Sequence, residues 1–277
     1  MRCVFRFLCV CALGVMPLVG CSETSRNICE GVECEDDGNV CTEDVCNPAD
    51  GTCGVPVGDD TACSDGACLN GSCTTLVNVE GSVVLFEGVE PEPPAVGATV
   101  SVHGTSLSAT TNESGEFSFD VFAGDWLFQT SKQDTWGFIQ LETVPSMGRS
   151  DLELAIAADA LAEELAKDLG ITIDEAKGLV MLSFDFSSGQ GGETATLSEP
   201  HTHASATNAD GDEVLTEALL EGGGYELTFY NVGLTDELIV TPRGAQGVNT
   251  CDLDDPGTVY PVVAKFVTDV DVVCTSP

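Results

Sequence analysis

Basic residues are scarce in this sequence of 277 residues. Lys and Arg number 9 against 46 Asp and Glu, and the formal net charge is −37 at pH 7. Nucleic acids are bound through a basic protein surface, and anionic lipid headgroups also attract basic surfaces. The composition therefore excludes nucleic acid as a partner, and it excludes direct electrostatic adhesion to a membrane.

The motifs of common catalytic sites are also missing. The sequence contains no G-x-S-x-G elbow, no H-E-x-x-H helix and no phosphate-binding P-loop. Carboxylates are so frequent that any two of them could be paired as acid and base, and such a pairing carries no information. We therefore predict that the protein is not an enzyme and has no catalytic residues.

Histidine is rare as well, with 3 residues in the chain. His201 and His203 are two positions apart, so a strand would place both imidazoles on one face, which suits a metal ion. Asp210 and Asp212 lie in an acidic run whose alternate oxygens suit Ca²⁺, but the run lacks the Gly and Glu of an EF-hand loop. These four residues are weak metal candidates, and calcium is the one cofactor left open. Surface polar side chains and a solvated Asp-Gly turn are the alternatives.

Cysteine is absent from residues 74–250 and abundant elsewhere. Of the 14 Cys, three lie in the first 20 residues, one is Cys21 and ten follow. An even number in an exported chain indicates disulfides. Cys251 and Cys274 are predicted to pair, closing a loop of about 24 residues that stabilises the fold by about 3 kcal/mol. The clustered cysteines, whose pairing the sequence leaves open, are Cys29, Cys34, Cys41, Cys46, Cys53, Cys63, Cys68 and Cys73.

At the start of the chain, two arginines precede an apolar run, Phe7–Val19. The run is too short for a membrane-spanning helix and is typical of a secretory signal. The following Leu18-Val19-Gly20-Cys21 resembles the lipobox of bacterial lipoproteins. The resemblance implies cleavage after residue 20 and a lipid anchor on Cys21, and Ser22 after it implies the outer membrane. An ordinary cleaved signal with a coincidental cysteine is the alternative.

Residues 29–75 contain few large apolar side chains, so four disulfides must replace a hydrophobic core there. The run from Asp37 to Val57 resembles the short extracellular Cys-rich repeats of slime-mould and myxobacterial surface proteins. The resemblance implies a spacer, or a knob that contacts another protein. Residues 1–20 would then be a signal peptide, and residues 21–28 a lipid anchor and tether.

Beyond Cys73, short alternating runs separated by turn sequences favour a β-sandwich over residues 77–148. The predicted strands are Val77–Phe86, Ala98–Val102, Glu116–Val121 and Trp126–Ser131. The motifs Val96-Gly97-Ala98-Thr99-Val100 and Thr111-Asn112-Glu113-Ser114-Gly115 resemble those of carboxypeptidase-regulatory-like domains. The resemblance implies a small prealbumin-like sandwich without chemistry of its own.

A diluted copy of this unit follows over residues 178–277. The matched positions, at offsets of 96, 97 and 100 residues, are Thr111–Glu116 with Thr207–Asp212, Gly81 with Gly178, and Gly124 with Gly224. A nearly constant offset indicates a duplication. We therefore predict a second β-sandwich and leave open whether it belongs to the same family as the first.

Between the two units, apolar residues at spacings of three and four predict a helix in a connector over residues 150–177. They are Leu154, Ala158, Leu161, Leu165 and Leu169. Ser150 with Glu153, and Thr172 with Glu175, are spaced as capping boxes. However, Leu152, Leu154 and Ile156 alternate, so the first of these residues could instead form the last strand of the preceding sandwich.

These features together predict a mainly β protein, with a disulfide-rich N-terminal module, two Ig-like or prealbumin-like β-sandwiches and a connecting helix. The predicted function is that of a non-catalytic, lipid-anchored envelope protein with a structural role or a protein or polysaccharide ligand. A metal-dependent envelope enzyme, or an accessory subunit of one, and a calcium-stabilised adhesion module are the alternatives. Of the 2 Trp, Trp136 is expected either at an exposed glycan site or in a sandwich core.

Overall fold

The structure is a computed structural model that describes residues 28–64, 66–88, 91–186, 191–245 and 248–275. Strands hold 53% of the described residues and helix holds 5%, which confirms the mainly β fold class. The predicted signal peptide and the predicted lipidation site, Cys21, lie outside the described residues. Within the described ranges there is one helix, α1 (Asp159–Leu169). It is not long and apolar enough to cross a membrane.

The N-terminal module consists of two small sheets joined by a disulfide. Its strands are β1 (Thr42–Cys46), β2 (Cys53–Pro56), β3 (Ala62–Cys63), β4 (Gly66–Leu69) and β5 (Ser72–Thr74). Strands β1 and β2 form one sheet, and β3, β4 and β5 form the other. The disulfides are Cys29–Cys46, Cys34–Cys53, Cys41–Cys68 and Cys63–Cys73. Cys41 and Cys68 are fully buried, so the bond between the sheets is the centre of a module that lacks an apolar core.

The module is connected closely to the first sandwich. A single residue, Thr75, separates β5 from the next strand, which begins at Leu76. In addition, the Asp60 carboxylate accepts a hydrogen bond from the backbone N–H of Ser106 in the sandwich. The short connection and this second contact together restrict bending between the module and the sandwich.

Seven strands of the described chain form the first sandwich. They are β6 (Leu76–Phe86), β7 (Thr99–Val102), β8 (Ser108–Thr110), β9 (Glu116–Phe122), β10 (Gly124–Ser131), β11 (Thr135–Val144) and β12 (Arg149–Ala158). Strand β6 lies between β9, its antiparallel neighbour, and β12, its parallel neighbour; β8, β7, β10 and β11 form the facing sheet. Val83, Phe128 and other alternate residues of both sheets fill the core. The four strands predicted for this region are confirmed within two residues.

The prediction that a helical connector begins at residue 150 is wrong. Strand β12 occupies this segment and pairs with β6 as far as Ala157. The alternation of Leu152, Leu154 and Ile156 decides the structure, because all three side chains are buried in the core of the first sandwich. The first sandwich therefore extends past residue 148 to the start of α1.

Neither predicted capping box caps a helix. Ser150 and Glu153 lie in β12, and α1 follows Ala158 without a side-chain cap. After α1 the chain turns at residues 175–176, where the side chain of Asp174, rather than that of Thr172, accepts a hydrogen bond from a backbone N–H two residues later. Both residue pairs have the spacing of a capping box, but no helix begins at either of them.

Ten strands of the described chain form the second sandwich. They are β13 (Gly178–Phe186), β14 (Thr194–Leu197), β15 (His203–Thr207), β16 (Glu213–Leu215), β17 (Glu226–Val232), β18 (Thr235–Leu238), β19 (Val240–Arg243), β20 (Thr250–Leu253), β21 (Tyr260–Val262) and β22 (Phe266–Thr275). One sheet has the order β16-β15-β17-β13-β22-β20, and the pairs β14-β19 and β18-β21 cover its inner face. Leu182, Phe229 and Tyr260 lie in the core between them. A disulfide joins Cys251 of β20 to Cys274 of β22.

The two sandwiches share a continuous sheet, because β11 pairs in parallel with β22. At this junction Gly137 lies opposite Phe266. A Cβ atom on Gly137 would lie 2.3 Å from the Phe266 ring and 2.4 Å from the backbone oxygen of Thr130. Any larger residue would separate the strands, so this glycine allows an edge of each sandwich to be paired rather than exposed.

The sequence echoes between the sandwiches are only partly equivalent in position. Gly81 lies in β6 and Gly178 lies in β13, and each of these strands has one antiparallel and one parallel neighbour. Gly124 and Gly224, in contrast, do not lie at equivalent strands. Gly124 begins β10, which lies in the sheet opposite β6, whereas Gly224 precedes β17, which pairs with β13 in the same sheet. The third echo therefore does not join equivalent strands.

Candidate functional site

A cavity of about 580 Å³ lies where the two sandwiches and α1 meet. Its walls come from β6, β11 and β12 of the first sandwich, from α1, and from β13, β16, β17 and β22 of the second. Binding sites for small molecules are concave and mostly apolar, with a few polar groups, and they often lie between domains. The cavity is therefore the candidate functional site.

One part of the wall is apolar. Trp136, Phe138, Leu179 and Val267 are buried there in a single cluster, and Leu165 of α1 packs against them. Alternation explains their position, because the intervening residues of β13 and β22 point into the core of the second sandwich. The sheet of the second sandwich thus presents one face to its own core and the other to the cavity.

The register of β17, β13 and β22 arranges this face in rows across the strands. Leu179 lies opposite Val267, which in turn lies opposite Phe138 of β11. The next two rows are Thr228, Met181 and Asp269, followed by Glu226, Ser183 and Asp271. Residues two apart share a face and are separated by about 7 Å, so the wall changes from apolar to acidic over about 13 Å.

A hydrogen-bonded chain of hydroxyl groups leads to Glu213. The Glu213 carboxylate accepts hydrogen bonds from the hydroxyls of Ser205, at 2.8 Å, and Thr207, at 2.5 Å. The Tyr230 hydroxyl lies 2.8 Å from the Ser205 oxygen. Because the Ser205 hydroxyl donates to Glu213, the Tyr230 hydroxyl is the donor in this pair. Burial raises the pKa of Tyr230 to about 12, so the phenol stays protonated.

Asp269 is the carboxyl group most affected by the cavity. Its Oδ1 accepts a hydrogen bond from the Ser183 hydroxyl at 3.1 Å. Burial, and then the charge of Asp271, raise the pKa of Asp269 to about 7, although the bond from Ser183 opposes the shift. Desolvation of the carboxyl group, and then the charge of Glu213, also raise the pKa of Glu226, although the residue as a whole is exposed at the mouth of the cavity. Carboxyl groups in this situation are stabilised as anions by a nearby cation.

The acidic surface continues beyond the cavity to β11 and β12. Arg149 lies 2.6 Å from Glu142 and 3.1 Å from Asp151, so two carboxylates already neutralise this cation. Burial raises the pKa of Glu142 despite the ion pair. The described residues that line the cavity include no Lys or Arg, and they include five acids: Glu92, Glu153, Glu213, Glu226 and Asp269.

The structure does not assemble the weak metal candidates into a site. His201 Nε2 lies 3.5 Å from Glu217, and the imidazole packs edge-on against Phe229 with 4.8 Å between ring centroids. Within the described ranges, the groups of three possible ligands whose atoms lie within 4.8 Å of one another do not contain His201, His203, Asp210 or Asp212. One such group, Asp36, Asp37 and Asp44, is exposed, and its carboxylates accept hydrogen bonds from backbone N–H groups of their own loop. Calcium binding stays a prediction.

The two tryptophans lie in different surroundings. Trp136 is 3% exposed and lines the cavity, so the expectation of an exposed glycan site at this residue is wrong. Trp126 packs against Phe122 in the first sandwich, with 5.7 Å between ring centroids. Its buried Nε1 has no acceptor within the described part of the chain.

The acids of the cavity were missed by the sequence analysis. Asp269 and Asp271 alternate with Val270 and Val272 in β22, a pattern that also describes a strand with one face in water. Glu226 begins β17, a strand of the same kind. The signal that distinguishes a covered face from a solvated one is the packing of α1 and the first sandwich over it, and this is a long-range contact that no local pattern encodes.

Comparisons with known proteins give the following results. No protein-family model matches the sequence, and no curated protein matches it. Among solved structures, a chain of a mutant type II cohesin-X-dockerin complex from Acetivibrio cellulolyticus matches with 20% identity and a TM-score of 0.25, over 30% of this chain and 58% of that one. The minor pilin of Streptococcus agalactiae matches with 12% identity and a TM-score of 0.24, over 72% and 96% of the two chains. A DUF3823 family protein from Parabacteroides merdae matches with 12% identity and a TM-score of 0.23, over 57% and 98%.

These scores describe a limited likeness. The match to the cohesin-X-dockerin chain spans less than two thirds of that chain. With TM-scores of this size, membership of a family does not follow from these matches.

Proposed function

We propose that the chain is a non-catalytic lipoprotein of the bacterial cell envelope, held to a membrane by lipid on Cys21. The five disulfides of the described residues support export, because such bonds persist mainly in oxidising compartments. The acidic composition supports anchoring by lipid, because so negative a surface is repelled by anionic headgroups.

The balance of cysteines carries this proposal. All ten cysteines after residue 28 are paired with one another, so none of them is available to Cys21 as a partner within the chain. After residue 20, Cys21 is the one cysteine outside these bonds. A leftover cysteine in an exported protein needs another role. Lipidation within a lipobox-like sequence supplies one, and Ser22 supports placement in the outer membrane.

The proposed role is structural or binding, with two sandwiches presented on a disulfide-linked base. The close junction at Thr75 supports a base that holds the sandwiches away from the membrane. The order β9-β6-β12, with its parallel last strand, supports a prealbumin-like first sandwich of the carboxypeptidase-regulatory-like kind. A protein or polysaccharide partner on the exposed surfaces belongs to the same proposal.

The test is metabolic labelling of bacteria that express the full chain, using a fatty acid with a clickable alkyne. We expect label on the original chain and its loss in Cys21→Ser, because the thiol is the point of attachment. An inhibitor of lipoprotein signal peptidase should leave the chain longer by the signal peptide.

The matched control is Ser22→Ala, which changes the adjacent residue and keeps the thiol. It should carry as much label as the original chain. Label that persists in Cys21→Ser, or an original chain that takes up none, would reject the lipid anchor and favour the ordinary cleaved signal.

A further inference from the structure

We propose that the cavity between the sandwiches binds a small organic cation, an amine joined to an apolar body. The ammonium group would face Glu226 and Asp269, and the apolar body would lie against Trp136, Phe138 and Leu179. Nothing in this proposal depends on the lipid anchor, so labelling at Cys21 and binding at the cavity can succeed or fail separately.

The size and shape of the cavity suit a small molecule. Its volume of about 580 Å³ falls in the range of sites for such ligands, commonly about 300–1,000 Å³. The Leu179 row and the Asp269 row are about 7 Å apart along the strands, which matches a ring joined to an amine by a short alkyl chain. Both rows lie on one face, so a single extended ligand can contact them together.

Charge complementarity indicates that the ligand is positively charged. Five acids and no Lys or Arg occur among the described lining residues. Arg149, on the adjoining surface, is paired with Glu142 and Asp151, and Lys265 is paired with Asp159 and Glu175. An anion would therefore meet only repulsion. The carboxylates of the cavity do not belong to any group of three ligands within 4.8 Å in the described ranges, so the spacing favours an organic cation over a metal ion.

The test is titration calorimetry with the full chain, purified in a non-ionic detergent from whichever cell fraction contains it, at about pH 8. The probe is 4-phenylbutylamine, and its matched partners are 4-phenylbutanol, which lacks the charge, and 4-phenylbutyrate, which reverses it. We expect the amine to bind at least about tenfold more tightly than the alcohol, because a hydrogen bond to a charged group is worth about one order of magnitude. The carboxylate should not bind.

Variants assign the binding to the cavity. Asp269→Asn and Glu226→Gln keep the shape of each side chain and remove its charge, and each should weaken binding of the amine about tenfold. The control is Asp185→Asn, which removes a charge from an exposed position of the same strand as Ser183 and should leave the affinity unchanged. Because Glu226 lies at the mouth, its variant keeps the test valid should Asp269→Asn fail to fold.

The tryptophans locate the ligand independently. Trp126→Phe leaves Trp136, which lines the cavity, as the single tryptophan. Addition of 4-phenylbutylamine to this variant should shift the fluorescence emission along the same binding curve that calorimetry gives. An emission that stays constant while heat is released would place the ligand elsewhere and overturn the proposal.

The affinity should also depend on pH. Asp269 faces Ser183 of β13, Glu226 of β17 and Asp271 of its own strand, and burial among them raises its pKa to about 7; Glu153 of β12 and Glu213 of β16 line the same cavity. Since the ionised form binds the ammonium, the affinity should rise by up to about tenfold from pH 6 to pH 8 in the original chain, and less in Asp269→Asn. The proposal is overturned when the alcohol binds as tightly as the amine, when neither cavity variant weakens binding, or when the amine does not bind.

Discussion

The sequence Thr-Asn-x-x-Gly followed by an acid occurs once in each sandwich, and in both turns the Asn Oδ1 accepts the same two hydrogen bonds. In the first, Asn112 Oδ1 accepts bonds from the N–H groups two and four residues later, at 2.8 and 3.0 Å. In the second, Asn208 Oδ1 accepts the same two bonds, both at 2.9 Å. An Asn side chain that binds its own backbone in this way needs no outside partner. The turn is therefore a local structure in both places.

The chain that leaves the two turns takes different directions. Strand β9 crosses to the other sheet and pairs with β6, whereas β16 folds back on β15 as a hairpin. The threonines differ too. Thr111 is buried and donates to the Ala95 oxygen at 2.5 Å, whereas Thr207 donates to Glu213, which lines the cavity. The comparison teaches that a repeated local sequence repeats its turn, while the destination of the next strand depends on the surrounding sheets.

The largest expected contrast concerns the acidic face of the second sandwich. Asp269 has a pKa of about 7 in the folded chain against a reference value of 3.8. Because folding raises this pKa, the related stability is present below about pH 4 and is lost as the pH rises to about 7, by up to about 4 kcal/mol. Asp269→Asn should remove this part of the pH dependence and should be more stable than the original chain at about pH 8. Urea midpoints measured between pH 4 and 8 check it.

Asp185→Asn is the control for this prediction, because it removes an exposed charge from the same sandwich. It should keep the pH dependence of the original chain. Equal slopes for the original chain and Asp269→Asn would contradict the assignment of this dependence to Asp269.

The second contrast is the buried carboxyl group of the second sandwich. Glu193 is fully buried and accepts hydrogen bonds from the Asn249 amide, at 2.7 Å, and the Gly191 N–H, at 2.6 Å. Glu193→Ala leaves both donors without this acceptor and should destabilise the chain by about 3 kcal/mol. Urea unfolding measures the loss of stability, and the control Glu237→Ala, at an exposed residue, should change the stability little. Similar midpoints for the two variants would show that the hydrogen bonds to Glu193 do not stabilise the fold.

The third contrast compares the two threonines of the turns. Thr111→Val removes a buried hydroxyl that serves two backbone groups, the Ala95 oxygen and the Ala98 N–H, and should cost about 2 kcal/mol. Thr207→Val removes one bond to the Glu213 carboxylate, and because both side chains are half-buried, water can take the place of the hydroxyl. The cost should therefore be smaller, about 1 kcal/mol. Thermal unfolding of the two variants tests the difference, and a larger loss from Thr207→Val would reverse the interpretation.

The smallest effects are expected from the turns themselves. Asn112→Ala and Asn208→Ala each remove the two hydrogen bonds that the Asn Oδ1 accepts in an exposed turn, and each should destabilise the chain by about 1 kcal/mol. Asn112→Ala also removes a bond from Nδ2 to the Glu116 carboxylate, but that bond is exposed to water, so the two losses should agree. Unfolding curves for the pair provide the measurement, and losses that differ several-fold would mean that the surroundings, not the turn, set the value.

How far the sequence could predict the fold is seen by comparing neighbouring segments. Strand β6 was predicted within one residue, because its apolar residues alternate and its ends carry turn signals. The segment Arg149–Ala158 satisfied both a helical and a strand pattern, and pairing with β6 decided between them. Among the residues of the cavity, burial of Trp136 was one of two alternatives that the sequence offered. The sequence did not predict a role for Asp269, because its strand has the pattern of a strand with one face in water.

The sequence by itself determined the charge, the mainly β class, the strands β6, β7, β9 and β10, and the two Asn turns. Each of these features depends on composition or on contacts between residues close in the sequence, so it can be read without knowing the fold. The tertiary structure alone decided how the eight clustered cysteines pair, that β11 joins β22 and that α1 covers the outer face of the second sandwich. These features depend on residues far apart in the chain, and only their packing turns an alternating strand into the acidic wall of a cavity.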